Sequence, residues 1–412
     1  MKNPWPNCAQ LSRHAAAVLG ALHLDEPELP RLTELEWASA LDYADRERVT
    51  LALRDACGAN LPAAIRERVD QDLAKNRVRR RGIADTCRDL EAWLSAESLE
   101  FIFLKGVTHA ETFGLPPDNR VQYDIDLWLP REDAGRAQQL LVSRGYASMP
   151  GTEDLPTDHL PALVRQTGWQ WRGDFFDPEI PLPVELHVQF WNSQQERFSA
   201  PGTEEFPGRC VGHALHPADA VAYAALHVLR HVLTGSVRIF HVYEIAAMLH
   251  ARADDALFWD EWRRLHPAGL RRLEALSFRL AREWFGGTAA SIVTAELDHL
   301  PAAGRAWFDS FALSPATLTF RPNKDHLWLH LTLLDSGRGA LQVAAQRILP
   351  RSLPAAAGDA FVPEEELTWR DWLRWRLHWA AHTAHRAAHH LRALPSVATS
   401  GARWWWLTRR QR

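Results

Sequence analysis

The chain has 412 residues, longer than a single hydrophobic core usually grows, so two or three domains are expected. Its 47 Lys and Arg against 51 Asp and Glu leave a net charge of −4, which argues against a general nucleic-acid coat while leaving room for a local basic groove. The cysteines, Cys8, Cys57, Cys87 and Cys210, lie far apart with no Cys-x-x-Cys pair, so neither a disulfide scaffold nor a cysteine zinc site is expected and a reducing cytoplasm fits.

From the start, Met1 to Pro6 lacks the apolar stretch of a secretory signal, and no later segment approaches the roughly 20 apolar residues of a spanning helix. Residues 8 to 97 read as a helical lead-in, with apolar positions at helical spacing in 51–57 and 83–94 and a break at 58–62. Within it, Lys75 to Arg81 is the densest basic run, read first as a solvated helix face and second as a source of phosphate contacts. Glu100 to Leu104 reads as a strand, Lys105-Gly106 as a turn, and Val107 to Phe113 as a short helix. Tyr123 to Leu129 is a second strand, and Arg131 to Arg144 a helix with acids in its first turn and arginine in its last. Gly151 to Pro161 is a polar loop suited to a lid.

Beyond that loop, Trp169 to Phe176 and Val184 to Trp191 read as paired strands, giving a small mixed sheet. Residues 217–285 and 301–349 read as helical, 351–363 as an Ala- and Pro-rich linker, and Glu364 to Leu394 as a final amphipathic helix followed by a Trp- and Arg-rich tail. The expected class is α+β: a sheet core over 98–215, helical regions over 1–97 and 216–350, and the linker, helix and tail over 351–412.

The chemistry concentrates on three acids. Asp124 and Asp126 sit two apart in an apolar strand, so both carboxylates project to one side while Ile125 and Leu127 face a core. Glu185, between Val184 and Leu186, adds a third carboxylate from another strand, enough to hold one or two Mg²⁺ or Mn²⁺ ions that also grip phosphates. Against this, acid-x-acid triplets also occur as solvated strand edges.

Leu104-Lys105-Gly106, Arg120 ahead of Asp124-Ile-Asp126, Arg144-Gly145-Tyr146 and Glu185-Leu-His187, in that order, resemble a bacterial family labelled uncharacterised nucleotidyltransferase, within the DNA polymerase β-like superfamily. The resemblance spans roughly residues 65 to 350 and is strongest between 99 and 190. Superfamily members carry Gly-Gly or Gly-Ser where this chain has Lys105-Gly106. The resemblance implies a transferase that takes an NTP and moves its nucleoside monophosphate to an acceptor, a small molecule, peptide or protein. In that scheme Asp124, Asp126 and Glu185 are catalytic and hold the metal, and Lys105, Gly106, Arg120 and His187 contact substrate or support the acids. For Lys105 and Arg120 the competing reading is an ion pair with the same acids. The rival function is a non-catalytic nucleotide- or partner-binding protein of a biosynthetic or defence gene cluster.

Three further features remain. His227 and His231 share one helix face with His241 and Glu244 on the next helix, read as polar lining of a cleft rather than a zinc site. His378, His382, His385 and His389 form a stripe beside Trp372, Trp375 and Trp379. With Trp404 to Trp406 flanked by Arg403, Arg409 and Arg410, that stripe suits packing surface, a partner, or peripheral contact with the inner membrane face.

Overall fold

The computed structural model describes residues 12–29, 31–149, 158–318, 320–348, 361 and 368–409. It opens with α1 (Arg13–Ala21), α2 (Glu34–Arg46), α3 (Thr50–Cys57) and α4 (Ala63–Ala96). Thr33 caps α2 in a reciprocal pair with Glu36, satisfying two backbone donors that the helix leaves open. The 34-residue α4 runs past the whole sheet: Val69 and Leu73 join the main helical core, while Ile83, Leu90 and Leu94 join a second core under the strands.

The sheet contains β1 (Ile102–Leu104), then α5 (Ala110–Phe113), β2 (Ile125–Trp128), α6 (Arg131–Ser143), β3 (Tyr146–Ser148), β4 (Leu163–Arg165) and β5 (Val184–His187). Its order is β1-β2-β5-β4-β3, antiparallel except for the parallel β2/β5 pair. Alternation along the strands divides its faces. Ile125, Leu127, Val184 and Leu186 pack with α4 and α6, and Ile102 and Leu104 face the main core.

The remaining helices are α7 (Ser193–Glu196), α8 (Pro217–Thr234), α9 (Ile239–Ala251), α10 (Ala256–Leu265), α11 (Ala268–Phe285), α12 (Ser291–Asp298), α13 (Ala302–Phe311), α14 (His326–Thr332), α15 (Gly337–Ile348) and α16 (Trp369–Arg409), and all but α7 and α15 contribute side chains to the main core. The class is α+β, with one small mixed sheet among helices. Among the described residues no helix is long and apolar enough to cross a membrane.

Three expectations are corrected. Trp169 to Phe176 is not a strand: Gly168 and Gly173 take left-handed φ of 71° and 86°, and the segment is tied down irregularly by Lys75 to Asp174 at 2.8 Å and by Trp169 Nε1 donating to Asp177 at 2.9 Å. The strand beside β5 is instead β4, with β3 at the edge. Val107 to Phe113 is a 3₁₀ turn over Gly106–Thr108 followed by the single turn of α5.

The carboxy-terminal helix does not stop at Leu394, because α16 continues through Pro395 to Arg409. Proline inside a helix costs about 3 kcal/mol. Packing beyond it offsets that cost: Trp404 is buried in the main core, Trp328 Nε1 donates to Ser400 Oγ at 2.9 Å, and the Arg403 guanidinium lies over the Phe311 ring. Trp405 and Trp406 remain exposed. Most of the expected lid and linker, and the start expected at Glu364, lie outside the described residues.

Candidate active site

The parallel pairing of β2 with β5 sets Asp126 opposite Glu185 and Trp128 opposite His187. Glu185 and His187, two apart on β5, share the face that Asp126 presents. Asp126, Glu185 and His187 each offer a ligand atom within 4.8 Å of the others, and among the described residues this is the one group of three placed to hold a metal ion. Asp126 is 2 % exposed, whereas the Glu185 side chain keeps a quarter of its surface open.

Two cations meet on one oxygen of Asp126. Lys105 Nζ and His187 Nε2 each lie 2.9 Å from Asp126 Oδ1. Burial alone would raise the Asp126 carboxyl, but Lys105 and His187 hold it well below the usual range. The same charges act in reverse: burial opposes protonation of His187, yet Tyr223 and the acids Asp126, Asp158 and Glu185 keep it well above its ordinary value. His187 Nδ1 faces Asp158 Oδ2 at 3.4 Å, and Asp158 is paired in turn with Arg230 of α8. A row of alternating charge results, running Arg230, Asp158, His187, Asp126, Lys105, with its three middle members buried.

The turn that delivers Lys105 is strained. Lys105 has φ 52° and Gly106 φ 40°, a region side chains other than glycine rarely enter. Only glycine fits the second position, since a Cβ on Gly106 would stand 2.3 Å from Gln122 Oε1. Gln122 Nε2 donates to the Asp124 carbonyl at 2.7 Å, so one side chain fixes both the turn and the approach to β2.

Asp124 lies just before β2 and is half-buried. Burial, and next the charge of Asp126, push its carboxyl above the ordinary range, with Lys105 and Arg48 opposing. Burial also raises Glu185, but the hydrogen bond from His187 prevails and leaves it below its ordinary value. Three carboxylates therefore share one field, and Asp126 and Glu185 with His187 share one point.

Arg120 is not paired with these acids. Its Nε lies 2.9 Å from Glu244 Oε1, and His109 Nδ1 lies 3.2 Å from Glu244 Oε2, so Glu244 of α9 anchors Arg120 behind the turn. His227 and His231 touch through their Nε2 atoms at 3.0 Å, with the His241 ring 4.8 Å from that of His227. Burial drives His227 and His241 well below their ordinary values and His231 down to about 3, which makes this a neutral packed cluster.

The acids and Lys105 were readable from strand period and the turn, but Asp158, Arg230 and Gln122 were not. Asp158 follows a polar stretch with no periodicity, Arg230 sits in an ordinary amphipathic helix, and only the tertiary fold brings either to His187. The basic run of α4 is more than a solvated helix face, since Asn76 and Arg79 are buried and Arg77, Arg80 and Arg81 line a cavity beside the turn.

No curated protein and no solved structure matches the chain. One family model does, under the description Uncharacterised nucleotidyltransferase, over residues 33–286, more than half of the chain and including α4, the whole sheet, α8 and α9. On that match, the chain belongs to the uncharacterised nucleotidyltransferase family.

Proposed function

We propose that the protein transfers a nucleoside monophosphate from an NTP to a hydroxyl or phosphate of an acceptor, with Asp124, Asp126 and Glu185 as the catalytic acids. Family membership supplies the coarse activity, nucleotidyl transfer. The observation that carries the finer reading is the register of Asp126 against Glu185, which gathers two carboxylates and the His187 imidazole within 4.8 Å.

The carboxylates fit a divalent cation, with His187, protonated between Asp126 and Asp158, supporting them rather than ligating. Carboxylate oxygens are the ligands hard cations prefer, and the raised Asp124 carboxyl marks a place where further positive charge is favourable. Held by Asp124, Asp126 and Glu185, Mg²⁺ or Mn²⁺ would supply positive charge to offset that on a phosphate group.

The chain's own groups have separable parts. Lys105 and His187 keep Asp126 ionised and fixed in direction, and Asp158 with Arg230 orients His187 from behind. Glu185, the more open acid, is the group suited to draw the proton from an acceptor hydroxyl. Lys105 and the Gly106 turn offer positive charge and close backbone approach for a phosphate.

The test is incubation of the protein with each α-labelled NTP and Mg²⁺ or Mn²⁺, with a cell extract as the source of acceptors. Metal-dependent label transfer that Glu185→Gln abolishes is the expected result. No transfer with any NTP, and nucleotide affinity unchanged by Glu185→Gln in the presence of metal, would sink it. One observation favours the non-catalytic reading: Asp126 Oδ1 already receives both Lys105 and His187. That reading requires nucleotide binding that ignores divalent metal.

A further inference from the structure

The basic run of α4 is built into a cavity. Asn76 Nδ2 donates to the carbonyls of Asp118 and Arg120 at 2.7 and 3.1 Å, and Arg79 donates to the carbonyls of Gln122 and Ile180 at 2.8 and 2.6 Å. The first three of these bonds lock α4 onto the loop that leads from the Gly106 turn to Asp124, and the fourth ties it to the segment before β5. At helical spacing they leave Arg77, Arg80 and Arg81 on the adjoining face, where with Arg120 they wall a cavity of about 400 Å³ that reaches Gly106 and Gln122.

The charge in this cavity is unbalanced. Four guanidiniums face two carboxylates, Asp118 and Glu244, and burial holds His109 below its ordinary value, so it adds no opposing or supporting charge near neutral pH. Asp118 sits in a fork of two arginines, Arg77 Nε at 2.8 Å and Arg80 Nη1 at 2.7 Å, an arrangement that a phosphate also satisfies. His109 is 3 % exposed, and its Nε2 has no hydrogen-bond partner among the described residues. A buried ring nitrogen without a partner on a cationic cavity wall calls for a polar ligand.

We propose that this cavity binds an oligophosphate group of a substrate, with the α4 arginines as its cationic wall. The inference rests on the reading that phosphoryl chemistry takes place at Asp126 and Glu185, because the cavity opens beside the same Lys105-Gly106 turn. Two sources share this chemistry, the polyphosphate of an NTP and a phosphate carried by the acceptor.

The experiment titrates the full-length protein with inorganic tripolyphosphate in EDTA, by calorimetry, and compares Arg80→Ala/Arg81→Ala with Arg88→Ala, whose side chain pairs with Asp85 outside the cavity. The double variant should weaken binding at least about tenfold and flatten its salt dependence, with Arg88→Ala within about twofold. Asp118→Asn should strengthen binding by removing the competing carboxylate, a gain that misfolding cannot mimic. Absence of tripolyphosphate binding in the wild type, or equal losses in the double variant and the Arg88 control, overturns the inference.

Repeating the titration with NTPs separates the sources. A matching loss assigns the cavity to the nucleotide, and an unchanged NTP affinity assigns it to a phosphate on the acceptor. Glu185→Gln should leave tripolyphosphate binding in EDTA intact while abolishing transfer. Label transfer that survives the arginine substitutions, with tripolyphosphate binding unchanged, defeats the cavity and leaves the active-site reading standing.

Discussion

Two buried histidines in this molecule each bridge two acids with an arginine behind, and they differ in closure. His266 donates to Asp219 at 3.1 Å and to Glu274 at 3.0 Å; Arg209 grips Asp219 through two nitrogens at 2.8 and 2.9 Å, and Trp262 donates to the other Glu274 oxygen at 2.7 Å. Both acids are fully buried and both have partners on each oxygen. Around His187 the partners are crowded onto Asp126 Oδ1, while Glu185 lies 3.5 Å from His187 and 3.9 Å from His159, too far for strong hydrogen bonds, and stays partly open. Residue type does not separate the two sites. A closed network fixes packing between α8, α10 and α11, and an open one keeps a carboxylate available for chemistry.

The comparison breaks most clearly on activity. Glu185→Gln should lower nucleotidyl transfer by about 10³-fold while moving the thermal midpoint by about 2 °C at most, because its carboxylate makes only long contacts, the nearest at 3.5 Å to His187, and stays a quarter exposed. Asp126→Asn is a poorer probe, since it also strips Lys105 and His187 of their shared acceptor. Should Glu185→Gln unfold the protein, or leave transfer unchanged, the open network is structural after all.

The converse substitution is Asp219→Ala. It removes both guanidinium bonds and one imidazole bond from a fully buried site, so a loss of about 3–5 kcal/mol is expected in denaturant unfolding. Transfer per folded molecule should be unchanged well below the new midpoint. A large drop in transfer there would mean that the two networks are coupled.

What the sequence displayed follows the same division. Period-2 alternation exposed Asp124, Asp126 and Glu185 because each is a charge in an otherwise apolar strand, and Lys105-Gly106 stood out at a strand end. Arg79 gave no such signal, because in a run of arginines nothing marks the one that turns inward to bind the Gln122 and Ile180 carbonyls. Trp169 to Phe176 has the aromatic content of a strand, and two left-handed glycines defeat it. Pro395 reads as a stop, yet the burial of Trp404 carries α16 past it. Local pattern reports the strands and the helical faces; pairing across the fold decides which charges are used.

Acidity sharpens the contrast. His266 is raised from 6.5 to about 9, burial opposing and Glu274 and Asp219 prevailing. A histidine with a raised folded value stabilises fully below its unfolded value of 6.5, and the contribution is lost as pH rises through 9. The part of the unfolding free energy carried by His266 should therefore fall by about 3 kcal/mol between pH 6 and pH 10, and the drop over that range should be smaller by about that amount in His266→Gln than in the wild type. An unchanged slope in the variant would place the titration elsewhere.

The smallest effect concerns Asp124, the acid with an unfavourable charge. Its carboxyl is raised by burial and then by Asp126, so the ionised form costs stability that appears as pH rises above the usual carboxylate range. Asp124→Asn keeps the shape and removes the charge, and at pH 7 it should stabilise the metal-free protein by about 1 kcal/mol. At pH below about 4 the gain should vanish, because Asp124 is then protonated in both the folded and the unfolded chain. Adding Mg²⁺ or Mn²⁺ should reverse the order, raising the melting temperature of the wild type more than that of the variant, since only the wild type keeps the charge that binds the ion. A variant less stable than the wild type at pH 7 without metal would show that Arg48 and Lys105 already satisfy Asp124, placing it with the closed network of Asp219 rather than with Glu185.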